Sequence, residues 1–280
     1  MKEKREAMGL LRLLALDIDG TILRDDGTIS PLMIEVLRKI QEEKGVLITL
    51  ASGRLFQSMQ ALAQTLEVKV PIISSNGAAI ADPKTGQKLF YRPIPLSTAK
   101  SVLAYLEDHL PRDLLVNHEN GFYINRHNSL LRIPDPSPWV RERLARCTVV
   151  DRLADGVHFE PLKISILEET ARIPETVARL QQGYASVLNI FPSSEFSIDL
   201  NAYQVSKGQT LARLAARLGI RREEIMAAGN AENDLDMIQF SGVGIAMANA
   251  PQRVREAADL VAGDNNEDGL ALLLKDYFGV

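Results

Sequence analysis

Two blocks of short apolar runs alternating with amphipathic patterns, divided by a long stretch of different character, constrain this chain more than any other feature. In the first block, residues 10–16 read as a buried strand. Ser30 and Pro31 then supply an N-cap and a first-turn proline. Met33, Val36, Leu37 and Ile40 follow at helical spacing, and Gly45 stops the helix. Residues 46–50 predict a second strand, 55–66 a second helix and 70–74 a third strand. Strand-helix-strand-helix-strand with short joins means parallel βαβ units.

From about residue 83 to 205 the segments are more polar, and prolines cluster at Pro93, Pro95, Pro134, Pro136 and Pro138. Strands are expected over 89–91, 114–117, 122–125, 162–167, 187–191 and 196–200, several joined by short turns such as Glu119-Asn120-Gly121. Helical patterns stand near 98–107, 140–144 and 175–181. This stretch predicts an α+β insert with an antiparallel sheet. After Ser206 the first pattern returns: Leu211, Leu214, Ala215 and Leu218 share a helix face closed by Gly219. Strands at 225–228 and 243–247, a helix at 234–239, another from Pro251 and a short strand at 260–262 complete it. The chain is therefore read as α/β, with a parallel sheet begun before the insert and finished after it. Residues 1–83 and 206–280 form the discontinuous core, and 84–205 the insert. Neither an internal repeat nor a low-complexity tract is visible.

Composition narrows the partners. With 280 residues, 46% of them hydrophobic, the chain can bury one large or two modest cores. A net charge of −4 and a pI near 5.7 give no electrostatic case for nucleic acid. Cys147 is the single cysteine, so no internal disulfide can form, and a reducing, cytoplasmic setting is the simplest reading. Lys2, Lys4 and Arg5 precede an apolar run, but Arg12 interrupts it and Asp17 ends it, unlike a secretion signal. No run reaches the ~18 apolar residues of a membrane span. A soluble protein with frayed first residues is expected. Four histidines without metal-ligand spacing give no case for zinc.

Four polar clusters fall where strands are expected to end. Asp17-Ile18-Asp19-Gly20-Thr21 places two carboxylates after the first apolar run. Acidic groups at a buried strand end are unfavourable unless a cation is near; one could attack while the other moves a proton. An acidic turn capping the next segment is the alternative. Ser52-Gly53-Arg54 joins a hydroxyl to helix-opening amides, an anion site or an ordinary Ser cap, with Arg54 a phosphate clamp or a solvated side chain. Ser206-Lys207-Gly208 sets a lysine in a helix's first turn, against the macrodipole, as if aimed at an anion. Gly229-Asn230-Ala231-Glu232-Asn233-Asp234 is either a polar capping loop or part of a site. Open α/β sheets bind ligands at the carboxyl ends of their strands, so four such clusters argue for one pocket.

In these motifs the chain resembles the haloacid dehalogenase-like hydrolases, specifically the Cof-type phosphatases with a large α+β cap (subfamily IIB). Asp17 to Thr21, Ser52 to Arg54, Lys207 within its tripeptide, and Gly229 to Asp234 with Met237 carry the match; Ser75-Asn76-Gly77-Ala78 and Asn265 to Gly269 are softer. The resemblance implies a doubly wound, Rossmann-like core, a cap over 84–205 and a Mg²⁺-dependent phosphomonoesterase. Asp17 would attack phosphorus to give an aspartyl phosphate; Asp19 would protonate the leaving alkoxide and then activate water. Asp17, the Asp19 backbone carbonyl and the fourth motif would hold Mg²⁺. Ser52 and Lys207 would bind the phosphoryl group, Asn233 would hold it or a metal-bound water, and Gly53 and Arg54 would shape the entrance. The family's metal-ligand aspartate is replaced by Asn230, which offers an oxygen without charge; Asp234 would compensate directly or through water. Cap residues His118, Asn120, Tyr123, His127 and Arg132 are candidate substrate contacts or solvated loop residues. His109 and His158 read as surface or packing residues and Trp139 as a local core anchor. The expected partner is a small phosphorylated metabolite, most plausibly a sugar phosphate, with the chain a monomer or homodimer. A phosphomutase and a phosphometabolite-binding module disabled at Asn230 are the competing readings.

Overall fold

Leu13, Leu14, Ala15 and Leu16 have no exposed surface, as a strand buried on both faces requires. In the computed structural model, which describes residues 11–110, 112–134, 141 and 144–280, these four residues are strand β1 (Leu13–Leu16). It lies between β2 (Leu47–Leu50) and β12 (Ile225–Gly229) in a five-stranded sheet completed by β13 (Val243–Ala246) and β14 (Leu260–Val261), in the order β14-β13-β12-β1-β2. Every pair is parallel, with Leu13 opposite Leu47 on one side and Ile225 on the other.

The two-residue alternation of a strand divides β1 between two cores. Leu14 and Leu16 join Ile48, Leu50, Met226 and Ile245 under helices α1 (Pro31–Lys44), α2 (Phe56–Thr65) and α8 (Gly269–Phe278). Leu13 and Ala15 join Ile225 and Ala227 under α5 (Lys207–Leu218), with Met237 from the short helix α6 (Leu235–Phe240). Helices on both faces make the sheet doubly wound. Helix α1 starts where Ser30 Oγ accepts from Met33 N at 3.0 Å and stops at Gly45, whose φ is 67°. Helix α7 (Gln252–Ala257) connects β13 to β14.

Strands β3 (Ile72–Ser74), β4 (Ala79–Ala81) and β5 (Lys88–Tyr91) form a three-stranded sheet beside the main one, Ile73 bridging to Ala51. Residues 89–91 were expected in the insert; they end β5 in this sheet, Leu89 and Phe90 in the first unit and Tyr91 at the start of the second. Pro83 reads as the start of a linker, yet Asp82 turns the chain into a hairpin, its Oδ1 accepting from Lys84 N at 2.9 Å and Thr85 N at 2.8 Å. The chain accordingly divides into one unit of Met1–Phe90 with Ser206–Val280 and another of Tyr91–Val205, rather than at 83/84.

The second unit carries a six-stranded sheet, β10 (Leu188–Ser194), β11 (Ser197–Ala202), β9 (Lys163–Leu167), β6 (Asp113–His118), β7 (Gly121–Asn125) and β8 (Cys147–Val150), in that order. It is antiparallel except for the last pair, since β7 and β8 run parallel. Helices α3 (Leu96–His109) and α4 (Ile173–Tyr184) add Val102, Leu103, Leu106 and Leu180 to its buried residues. Trp139 and most of the helix expected at 140–144 lie outside the described residues, as do the first ten. Among the described residues, no helix is long and apolar enough to cross a membrane.

Candidate active site

The parallel register brings the carboxyl ends of β1 and β12 side by side: Asp17 N donates to Ala228 O at 3.0 Å. Beyond Asp17 the chain must turn at once. Gly20 supplies the turn with a φ of 70°, and a Cβ there would stand 2.4 Å from Asn230 Nδ2, so the first and fourth motifs touch. Asn249 Nδ2 holds the Gly20 carbonyl at 3.0 Å and the Asn265 side-chain oxygen at 3.0 Å, which ties the softer tail motif to the same loop.

Lys207 is the centre of this arrangement. Its ammonium, with 1% of the residue exposed, donates to Asp17 Oδ1 at 2.6 Å and Asp234 Oδ1 at 2.5 Å. Burial alone would push the amine down, but the Asp17 and Asp234 carboxylates outweigh it and hold Lys207 above its ordinary value. Burial and the neighbouring Asp234 push Asp17 up to about 7, with Lys207 opposing and Asp19 adding to the rise. One buried cation faces two buried carboxylates, so the pocket is short of positive charge. The first-turn lysine that works against its own helix dipole is thus matched by two anions, both from the protein itself.

Asp234 is fully used. Its Oδ2 accepts from Asn230 N at 3.0 Å and Ala231 N at 2.9 Å, while Oδ1 takes Lys207. It anchors the loop and the lysine, and both oxygens are occupied by protein donors. Asp17 Oδ2 and Asn230 Oδ1 point at one hydroxyl, Thr21 Oγ1, at 3.0 and 3.4 Å. A hydroxyl has one proton and can satisfy only one of them. Thr21 stands in the quoted motif, but nothing in the sequence assigned it a role.

Ser52 follows β2, its amide donating to Ile73 O at 3.0 Å and its Oγ accepting from Arg54 N at 3.2 Å. Gly53 lies between them in this turn. The Arg54 guanidinium binds the Asp19 carboxylate through both oxygens. Asn233 Nδ2 donates to Asn76 Oδ1 at 3.0 Å, leaving Asn233 Oδ1 buried without a hydrogen-bond partner. The segment around Asn76 is unusual: Ser75, Asn76 and Gly77 have φ of 51°, 56° and 98°, and all three are buried. Their amides and carbonyls reach the second motif and the helix of the third. Ser75 N bonds Arg54 O, Asn76 N bonds Ser52 O, and Gly77 O accepts from Thr210 Oγ1 of the lysine's helix. A Cβ on Gly77 would meet Ser206 O at 2.3 Å. An Asn-Gly pair signals a turn in the sequence; its place beneath the site required the structure.

The oxygens present suit a hard divalent cation. Asp17 and Asn230 converge at Thr21, the buried charge is net negative, and no cluster of three or more carboxylate, imidazole or thiolate groups forms a metal centre among the described residues. The donor set is one carboxylate with neutral oxygens, which fits Mg²⁺ bound with several waters. His118, Asn120, Tyr123, His127 and Arg132 belong to the second unit. There His118 and Tyr123 pack against Phe159 with ring centroids 4.6 and 4.8 Å away.

Fold and site together define an enzyme core of the parallel-sheet class, with a buried lysine–carboxylate centre at its strand ends. The chain belongs to the haloacid dehalogenase-like hydrolases, the family model matching residues 14–274. It is 30% identical to a 5-amino-6-(5-phospho-D-ribitylamino)uracil phosphatase of Bacillus subtilis over 99% of each chain. It is 27% identical to a pyridoxal phosphate phosphatase of Escherichia coli, over 95% of this chain and 98% of that protein. A solved haloacid dehalogenase-like hydrolase from B. subtilis superposes with a TM-score of 0.81 at 25% identity, covering 95% of this chain and 99% of that one.

Proposed function

We propose that this chain is a Mg²⁺-dependent phosphomonoesterase acting on small phosphorylated metabolites through an aspartyl phosphate on Asp17. The observation that carries the reading is Lys207, buried at the strand ends and bound to both Asp17 and Asp234. The relatives named above are phosphatases of small phosphate esters, and sugar phosphates fall in the same substrate class.

Asp17 attacks phosphorus through Oδ2, the oxygen that Lys207 does not hold. Lys207 and Ser52 neutralise and orient the phosphoryl oxygens, since phosphoryl transfer depends chiefly on in-line positioning and charge compensation. Asp19 gives its proton to the leaving alkoxide, then takes one from the water that releases phosphate from Asp17. Asn233, with its amide nitrogen committed to Asn76, offers an acceptor oxygen and so suits a bound water or hydroxyl. Asp17, the Asp19 backbone carbonyl and Asn230 would hold Mg²⁺, whose charge would offset that building on the phosphoryl oxygens. Asp234 serves by fixing Lys207 and the Asn230 loop. The residues of 91–205 would act as the cap that selects the ester's leaving group.

A second reading has one observation behind it: Asn230 brings no charge to the cation site, which favours a phosphometabolite-binding protein with little turnover. Phosphate release from a panel of phosphomonoesters across a Mg²⁺ titration separates the two. Mg²⁺-dependent release that disappears in Asp17→Asn supports the phosphatase. Ligand binding without release, with turnover restored in Asn230→Asp, supports the second reading.

A further inference from the structure

Resting on the phosphatase reading, the proton carrier Asp19 must be held somewhere useful, and its side chain is 60% exposed on a loop that turns at Gly20. What holds it is Arg54. Nε donates to Asp19 Oδ2 at 2.9 Å and Nη2 to Oδ1 at 2.5 Å, a two-armed pair. Arg54 itself is fixed at its backbone: its amide donates to Ser52 Oγ at 3.2 Å and its carbonyl accepts from Ser75 N at 2.9 Å. Its side chain is only 25% exposed. A guanidinium delivered from an anchored turn and matched to both carboxylate oxygens is a far more directional contact than an ordinary surface ion pair.

We propose that Arg54 is a positioning residue for Asp19, holding the proton-transfer carboxylate for the water-attack half of the reaction rather than clamping the phosphoryl group. The reason is geometric. The fork needs two bare oxygens; a proton on either one removes a hydrogen bond. In the first half, an Asp17 oxygen bonds to phosphorus, the ester P–O bond breaks and the alkoxide takes the Asp19 proton. In the second, the water oxygen bonds to phosphorus, Asp19 takes a water proton and the P–O bond to Asp17 breaks. Asp19 enters the second half with both oxygens bare, the form that Arg54 grips.

The test is pre-steady-state and steady-state kinetics of 4-nitrophenyl phosphate with saturating Mg²⁺, in wild type, Arg54→Gln and Arg54→Lys. The expected result for Arg54→Gln is a kcat about tenfold lower, a KM unchanged or lower, and a burst of 4-nitrophenolate close to one equivalent as phosphoenzyme accumulates. Arg54→Lys recovers part of kcat, and Arg54→Gln adds little to Asp19→Asn. A KM raised several-fold with no burst, and an equal effect in the Asp19→Asn background, would overturn the proposal and make Arg54 a phosphoryl clamp. A ¹⁵N NMR arm needs no turnover: the Arg54 Nε–Hε signal, identified by its loss in Arg54→Lys, shifts and exchanges faster in Asp19→Asn. If no ester is hydrolysed, the phosphatase reading falls, and an Nε–Hε signal unmoved by Asp19→Asn overturns the Arg54 assignment by itself.

Discussion

Asn233 donates its side-chain amide to Asn76, a fully buried residue with a φ of 56°. Among non-glycine residues this left-handed conformation is uncommon and best tolerated by Asn and Asp, and backbone of this kind gathers at functional sites. Two substitutions separate the side chain from the backbone. Asn76→Gly keeps the left-handed turn and loses the hydrogen bond; Asn76→Ala loses both. Asn76→Gly is expected to lower kcat/KM by roughly tenfold, about one hydrogen bond's worth. Asn76→Ala is expected to be less stable than Asn76→Gly by about 1 kcal/mol. Urea unfolding beside phosphate-release kinetics measures both, and equal activity in Asn76→Gly and wild type would remove Asn76 from the site.

Lys207 is paired with two carboxylates, Asp17 and Asp234, and all three side chains are almost wholly buried. Removing one partner of a buried ion pair leaves uncompensated charge and typically destabilises by about 3–5 kcal/mol. Lys207→Met should therefore lower the urea midpoint strongly as well as stop turnover. Adding Asp234→Asn to it should recover part of the stability and none of the activity. A Lys207→Met protein as stable as wild type would show that the carboxylates are neutral in the folded state.

In the proposed Mg²⁺ site, Asn230 would contribute an oxygen and no charge. Asn230→Asp should reduce the Mg²⁺ concentration needed for half-maximal phosphate release by about tenfold, within the range that single changes around metal sites produce. An unchanged Mg²⁺ requirement would place the cation away from Asn230.

In the second unit, Glu168 tests the pH dependence of a structural carboxylate. Burial would raise it, but hydrogen bonds from Thr176, Arg112 and the Glu169 amide prevail and lower it below the ordinary 4.5. A carboxylate lowered in the folded state stabilises above its unfolded value, and that contribution is lost as pH falls through the folded value. Wild type should thus exceed Glu168→Gln in stability near neutrality, the gap closing below pH 4.5. A gap independent of pH in urea melts across that window would assign the effect to packing.

The parts of this chain most legible in the sequence are those governed by local rules. The Ser30-Pro31 start and Gly45 stop of α1, and the Ser206 start and Gly219 stop of α5, stand where their residue types require. So do the polar clusters at the strand ends. Elements without such marks escaped notice. β4 is three residues long, β8 lies at a sheet edge, and α8 begins at Gly269 after a left-handed Asp268. The hairpin at Asp82 looked like a linker because Pro83 and Gly86 serve either purpose. Within the site, residue types were visible but pairings were not. Arg54 meets Asp19, and Asn233 meets Asn76, only because separate loops converge across the parallel register.

The strand order has a consequence for biosynthesis. β1 is made about two hundred residues before β12, one of its two partners, which pairs Ile225 with Leu13. At ~5–20 residues per second, a ribosome leaves that edge waiting for on the order of 10–40 s. The intervening six-stranded sheet is contiguous in the chain and can close in the meantime, while β1 shows a bare apolar edge. Nascent chains stalled before Ile225 should therefore be cut by protease within their first ninety residues while their middle third resists. Release of the last strands should abolish that sensitivity.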